Sequence, residues 1–172
     1  MLLSACGPLG IGRRPAPPAG FAEGDRQDPA LSGDGRWLAS IVARGGRETV
    51  LLQEQASGRV VRLDPLRRHQ PHRSPSLSWN GRYLAVVGQW GPRPTALVLD
   101  RLTGRLVPLQ LPGEGDPERI SLAPDGRRLA VERLRAGRRR IEVLDLSSLL
   151  EPDPPPGPLA PGASPTPPAG ER

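Results

Sequence analysis

One nine-residue phrase occurs three times and constrains this chain more than any other feature. Residues 31–39 read Leu-Ser-Gly-Asp-Gly-Arg-Trp-Leu-Ala, residues 77–85 Leu-Ser-Trp-Asn-Gly-Arg-Tyr-Leu-Ala, and residues 122–130 Leu-Ala-Pro-Asp-Gly-Arg-Arg-Leu-Ala. Leu, Gly, Arg, Leu and Ala agree in all three copies, and with residue frequencies of roughly a tenth or less such agreement does not arise by chance. The turn glycines Gly35, Gly81 and Gly126 stand 46 and 45 residues apart. A period of this length belongs to propellers and solenoids, in which one supersecondary unit buries its faces by stacking on the next.

The register extends past the phrase. Gly58 and Gly104 each follow the first glycine of their copy by 23 residues, and an acid follows it by 19 in every copy, at Glu54, Asp100 and Asp145. Asp34-Gly35, Asn80-Gly81 and Asp125-Gly126 lie between apolar runs, the strongest short-range sign of a hairpin. Apolar runs at residues 30–31, 37–43, 50–53 and 60–63 predict four strands in the first copy, with matching runs at 76–79, 83–88, 96–99 and 106–109 in the second. The third copy has runs at 120–122, 129–134 and 141–144, then Leu149 where the second glycine belongs and Glu151-Pro152 directly after. Its fourth strand is expected to be missing or short. The expected fold is all-β: three consecutive four-stranded antiparallel propeller-type blades, the third abbreviated.

The phrase Ser/Ala-x-Asp/Asn-Gly-Arg-x-Leu-Ala, followed by a Ser/Thr-Gly-Arg turn at Gly58 and Gly104, resembles the β-propeller repeat of the TolB family over residues 30–149. Ala123-Pro124-Asp125-Gly126-Arg127 is nearest the family's usual form, while Gly33 and Trp79 replace its proline in the other copies. Similar repeats occur in the non-catalytic domains of prolyl oligopeptidase-like enzymes. The resemblance implies a six-blade ring, of which three blades are half. Either two chains complete one ring as a homodimer, or the chain is an open three-sheet wedge with its ends covered by terminal segments.

Residues 30–150 are read as the repeat domain, between a Pro/Gly-rich linker at 1–29 and a disordered proline-rich tail at 151–172. Such composition buries too little apolar surface to offset chain entropy. Cys6, the single cysteine, follows Leu3-Ser4-Ala5 and resembles a bacterial lipobox, with the linker behind it suited to a tether. A secretory leader needs a basic start and an apolar stretch. The reading of Cys6 as a lipidation site and membrane anchor therefore expects translation to start upstream; otherwise Cys6 is an ordinary thiol in a cytoplasmic protein.

The net charge is +6, and all 24 basic residues are arginine. Dense groups occur at Arg67, Arg68 and Arg73, and at Arg133, Arg135 and residues 138–140. Phosphate neutralisation is a legitimate use of such charge, but the pattern reads better as a solvated basic surface in turns and loops, and no specific nucleic-acid partner is expected. The sequence has no Gly-x-Ser-x-Gly elbow, no Gly-x4-Gly-Lys-Ser/Thr loop and no Cys-x2-Cys pair. His69 and His72 flank a proline in an arginine-rich stretch and make a poor metal pair. Recurrence of Glu54, Asp100 and Asp145 at equal positions reads as structural.

No catalytic residue, metal or cofactor is expected. The expectation is a non-enzymatic protein-interaction scaffold of the bacterial cell envelope, periplasmic or lipid-anchored, with Tol–Pal-like envelope proteins as the partners the resemblance implies. Its rivals are a small-ligand or glycan sensor using Trp79, Trp90 and nearby arginines, and a propeller fragment of an oligopeptidase-like enzyme.

Overall fold

The computed structural model describes residues 25–153. They form three antiparallel sheets in chain order, each a meander. Blade 1 contains β1 (Arg26–Leu31), β2 (Trp37–Arg44), β3 (Arg47–Glu54) and β4 (Val60–Val61), paired in that order. After a 3-10 turn at Asp64–Leu66, blade 2 repeats the order with β5 (Arg73–Leu77), β6 (Tyr83–Trp90), β7 (Arg93–Asp100) and β8 (Arg105–Pro108). Blade 3 has three strands, β9 (Asp116–Leu122), β10 (Arg128–Arg135) and β11 (Arg138–Asp145), so the abbreviation expected from Leu149 is real. No helix among the described residues is long and apolar enough to cross a membrane.

The phrases form the β1–β2, β5–β6 and β9–β10 turns, and alternation along the strands after them sets the two faces of each blade. Trp37, Ala39 and Ile41 of β2 point to blade 2, where they meet Leu77, Leu84, Val86, Leu97 and Leu99. Tyr83, Ala85 and Val87 point the other way, onto Ile120, Leu122, Leu129 and Val131 of blade 3. The core is thus two apolar layers, one in each gap between blades.

Each gap is locked at the turn. A Cβ on Gly81 would come 2.6 Å from Cδ1 of Trp37, and one on Gly126 would come 2.7 Å from Cδ2 of Tyr83. The aromatic of one blade therefore rests directly on the turn glycine of the next. Both glycines also have positive φ, +68° and +77°. Gly35 has the same φ sign but nothing within 4 Å, since no described blade precedes it.

The inner strands β1, β5 and β9 are stitched laterally. Asp28 and Ser74, equivalent in the repeat, have φ of 51° and 50° at matching bulges in β1 and β5. The Ser74 N–H donates to the Asp28 carboxylate (3.1 Å), and the Ser74 hydroxyl donates to the Ile120 carbonyl (3.3 Å) while accepting from the Ile120 N–H (3.0 Å). This places β1 four residues earlier than the boundary drawn at residue 30: Arg26–Pro29 look like linker by composition, but the bulge seats Pro29 where no ladder N–H is needed.

Gly81→Ala and Gly126→Ala are each expected to cost about 3–4 kcal/mol, combining left-handed strain with a ring that has no room to retreat. Gly35→Ala carries the strain alone, about 1–2 kcal/mol. Urea unfolding midpoints of the three variants check the difference.

Candidate interaction surface

The repeated polar residues converge on the phrase turns. In blade 1, the Ser32 hydroxyl accepts the Trp37 N–H (2.9 Å) and donates to the Asp34 carboxylate (2.5 Å), which also accepts the Arg36 N–H. In blade 2, the Ser78 hydroxyl accepts the Tyr83 N–H (2.9 Å), but Asn80 stands in the place of the aspartate. The missing carboxylate arrives from Asp153. It accepts from the Ser78 hydroxyl (2.6 Å), the Asn80 N–H (2.9 Å) and the Asn80 side-chain amide (3.1 Å), and is nearly fully buried. In blade 3, Ala123 replaces the serine and, among the described residues, the Asp125 side chain accepts the Arg127 N–H alone.

Backbone bonds join the turns into one surface: Asp34 N–H to Trp79 carbonyl (3.0 Å), Trp79 N–H to Pro124 carbonyl (2.6 Å), and Asp153 N–H to Asp125 carbonyl (2.8 Å). Leu146 and Leu150 are buried against Tyr83, whose hydroxyl donates to the Glu151 carbonyl (2.9 Å). Residues 151–153, assigned to the tail by their prolines, are therefore part of the blade 2–blade 3 joint.

The recurring acids meet the recurring arginines. Arg36 places Nε and Nη2 on Glu54, and with the Ser57 hydroxyl it holds the Glu54 carboxyl below its ordinary value. Arg82 forks onto both oxygens of Asp100 (3.3 and 3.0 Å). Burial raises the Asp100 pKa, but Arg82 and the Leu102 and Thr103 N–H groups outweigh it and leave the carboxyl low. Asp145 accepts instead from Ser147, which lowers its pKa too. Gly58 and Gly104 close the following turns, their N–H groups on the Glu54 and Asp100 carbonyls.

The arginine groups differ from their expected placement. Arg133, Arg135 and residues 138–140 lie on β10 and β11, not in loops, because the Ala136-Gly137 turn is tight. Arg133 is buried, and its guanidinium donates to the carbonyls of Pro112, Gly113 and Gly115 and to Glu142, tying down the loop before β9.

Trp79 and Trp90 are not brought together. Trp79 packs over Gly33 and lines an open cleft with Pro124, Asp125, Arg127, Arg128 and Asp145. Trp90 ends β6 and stacks on His69, centroids 4.6 Å apart. His72 is buried; its Nδ1 accepts the Val50 N–H (3.1 Å) and its Nε2–H donates to the Leu66 carbonyl (3.0 Å), so both ring nitrogens serve the backbone. Burial lowers its pKa to about 4. No group of three or more metal-ligating side chains occurs among the described residues. Cys6 lies outside them.

Stacked antiparallel meanders of four, four and three described strands define a segment of a β-propeller. No family model and no curated protein matches the sequence. In three dimensions the chain is similar to TolB from Acinetobacter baumannii (TM-score 0.60, 17% identity, 71% of this chain and 30% of that one). It is also similar to a putative TolB from Agrobacterium tumefaciens (0.59, 20%, 72% and 43%). A third likeness is the β-propeller domain of the Trilobed protease from Pyrococcus furiosus (0.55, 15%, 75% and 41%). The chain spans less than half the length of each.

Asp153→Ala leaves the Ser78 hydroxyl and the Asn80 N–H without their acceptor in the joint, an expected loss of about 2–3 kcal/mol. Asn80→Asp should destabilise the native chain by setting two carboxylates together and do so far less in an Asp153→Asn background, a coupling measurable in a double-mutant cycle. His72 stays neutral in the folded chain down to about pH 4, whereas an unfolded histidine takes its proton near pH 6.5. Stability from this group is full above pH 6.5 and falls as pH drops toward 4, by up to about 3 kcal/mol. In His72→Asn, unfolding free energies across that window should lose this slope.

Proposed function

We propose that the chain is a non-enzymatic scaffold that binds other proteins in a bacterial cell envelope, tethered through an acylated Cys6. The observation that carries this reading is what the repeated charged residues do. Glu54 and Asp100 are each engaged by the arginine of their own phrase, so the repeat's polar side chains hold the blades together and leave the blade surfaces for docking. The likeness to TolB supports the envelope setting, and the lipobox-like Leu3-Ser4-Ala5-Cys6 with its linker supports the tether.

We read the molecule as an open wedge rather than half of a two-chain ring. Trp37 and Tyr83 fill the gaps inside the wedge, but the equivalent residue on the outward face of blade 3 is Arg128, and Glu132 replaces Ile41 and Val87. Ring closure would bury Arg128 and the ion pair of Glu132 with Arg139, and taking charges out of water is costly even for a pair. A charged outer face is how terminal repeats of stacked folds stay soluble. A sensor role remains a second reading, favoured by the Trp79 indole N–H, which is buried without an acceptor among the described residues beside Arg127 and Arg128.

Expressed from its own DNA with the upstream frame intact, the protein should fractionate with the membrane and yield an N-terminal peptide whose Cys6 carries diacylglycerol by mass spectrometry. Cys6→Ser should release it. Light scattering on the purified chain should give the mass of one chain. An unmodified cytoplasmic protein overturns the envelope reading, and a stable two-chain particle overturns the wedge.

A further inference from the structure

We infer that the edge of blade 3 left open by the described residues is a docking strand for an extended acidic segment of a partner protein, which adds to β11 as the fourth strand that no described residue supplies. The inference rests on the scaffold reading and specifies where the partner binds.

Blade 2 shows what the site accepts. There β8 pairs antiparallel with Leu97–Asp100, and 45 residues later the equivalent stretch of blade 3 is residues 142–145, which no described strand covers. The direction of the free backbone groups follows from the ladder. Leu146 N–H donates to the Arg127 carbonyl, so residues 142 and 144 face β10, and the N–H and C=O groups of Ile141, Val143 and Asp145 face outward. In blade 2 the carbonyl of Ala96, the counterpart of Ile141, accepts from Leu109 just past β8.

The side chains agree with an extended ligand. Ile141 and Val143 are 73% and 65% exposed on the outward flank beside Ala130, two β-branched residues side by side on a solvent-facing strand. A strand laid along the edge would place alternate apolar residues against them. Charge selects the ligand. Arg138 and Arg140 on β11 are in no salt bridge among the described residues, whereas Glu142 is held by Arg133 and Glu132 by Arg139. At the far end Asp145 lies opposite Arg128, and Ser147 and, less strongly, the charges of Arg128 and Arg127 hold its carboxyl low. The surplus positive charge therefore sits at the end of the edge that carries Arg138 and Arg140, which suits acidic residues between the apolar ones. The proline-rich residues 154–172 are poor donors for such a strand, since proline has no N–H for the ladder.

The test uses the purified full chain and a labelled eight-residue peptide alternating valine and glutamate, with an arginine/valine peptide as control. The acidic peptide should bind with salt-sensitive affinity and slow amide exchange at Val143 and Asp145; the basic one should not. Ile141→Asp with Val143→Asp, both at exposed positions, should weaken binding roughly tenfold or more with an unchanged urea midpoint. Val143→Pro, which removes only an outward N–H, should abolish the exchange protection. Absence of binding at millimolar peptide, equal binding of both peptides, or protection elsewhere would overturn the inference. So would a two-chain particle lost on the same substitutions, which would assign the edge to self-pairing. None of these outcomes depends on Cys6 acylation, so an unmodified Cys6 overturns the envelope reading without touching this one, and a failed edge leaves that reading in place.

Discussion

The seating of an aromatic ring on the turn glycine of the next blade is the contact on which the wedge depends. It couples two requirements that are separable in an isolated hairpin. The turn needs positive φ at Gly81 and Gly126, and the neighbouring blade needs their missing side chains as space for Trp37 and Tyr83. Because the ring and the glycine come from successive copies of one phrase, the middle copy receives the ring of the first on Gly81 and lays its own on Gly126 of the third. Arg101, with its guanidinium 4.0 Å from the Trp37 centroid and Nη1 on the Gly81 carbonyl (2.5 Å), closes the first of these joints from above. Tyr83 has Arg82 over its ring, 5.0 Å from the centroid, and at the place of Arg101 it meets Leu146, the residue one period on.

The same logic explains the change of residues at the third copy. An aromatic at position 128 would have no following glycine to rest on among the described residues, and an arginine there can stay in water. The turn of blade 2 is altered to match: with Asn80 in the phrase, its serine needs a carboxylate from elsewhere, and the segment after β11 supplies it through Asp153. One aspartate thereby bonds the blade 2 turn by its side chain and the blade 3 turn by its backbone. Among the described residues blade 3 is held by three strands, and the segment after β11 turns back across the turns instead of continuing the sheet.

The blades were legible because their signals are local. An Asp/Asn-Gly pair between apolar runs specifies a hairpin within a few residues, and its recurrence fixes the period. Ser32 and Ser78 share the second phrase position, and that recurrence is the one trace in the sequence of their common bond to the N–H five residues on. Asp153 was hidden for a physical reason: its bonds reach across 73 and 75 residues, and three-dimensional proximity of that kind leaves no trace in spacing. The inner strands began earlier than apolar content suggests, because Arg26–Pro29 earn their place by backbone and bulge geometry. Arg133 misled in the opposite sense, a cationic residue in a cationic run that proves buried because three loop carbonyls and Glu142 surround its guanidinium.

Arginine therefore does two kinds of work in this fold, and the difference decides which surface is available. Arg36, Arg82 and Arg133 are neutralised within the molecule, each against an acid or carbonyls fixed by the repeat or by the loop it restrains. Those at 138 and 140 stand on a strand that in blade 2 would be half covered by its neighbour. Charge on an open edge deters the indiscriminate strand pairing that leads to aggregation. It does so by raising the cost of approach for any strand that brings no compensating acid. An edge that the described residues leave open, apolar on one side and positively charged at the end that carries Arg138 and Arg140, is thus closed to most strands and receptive to a narrow class of them.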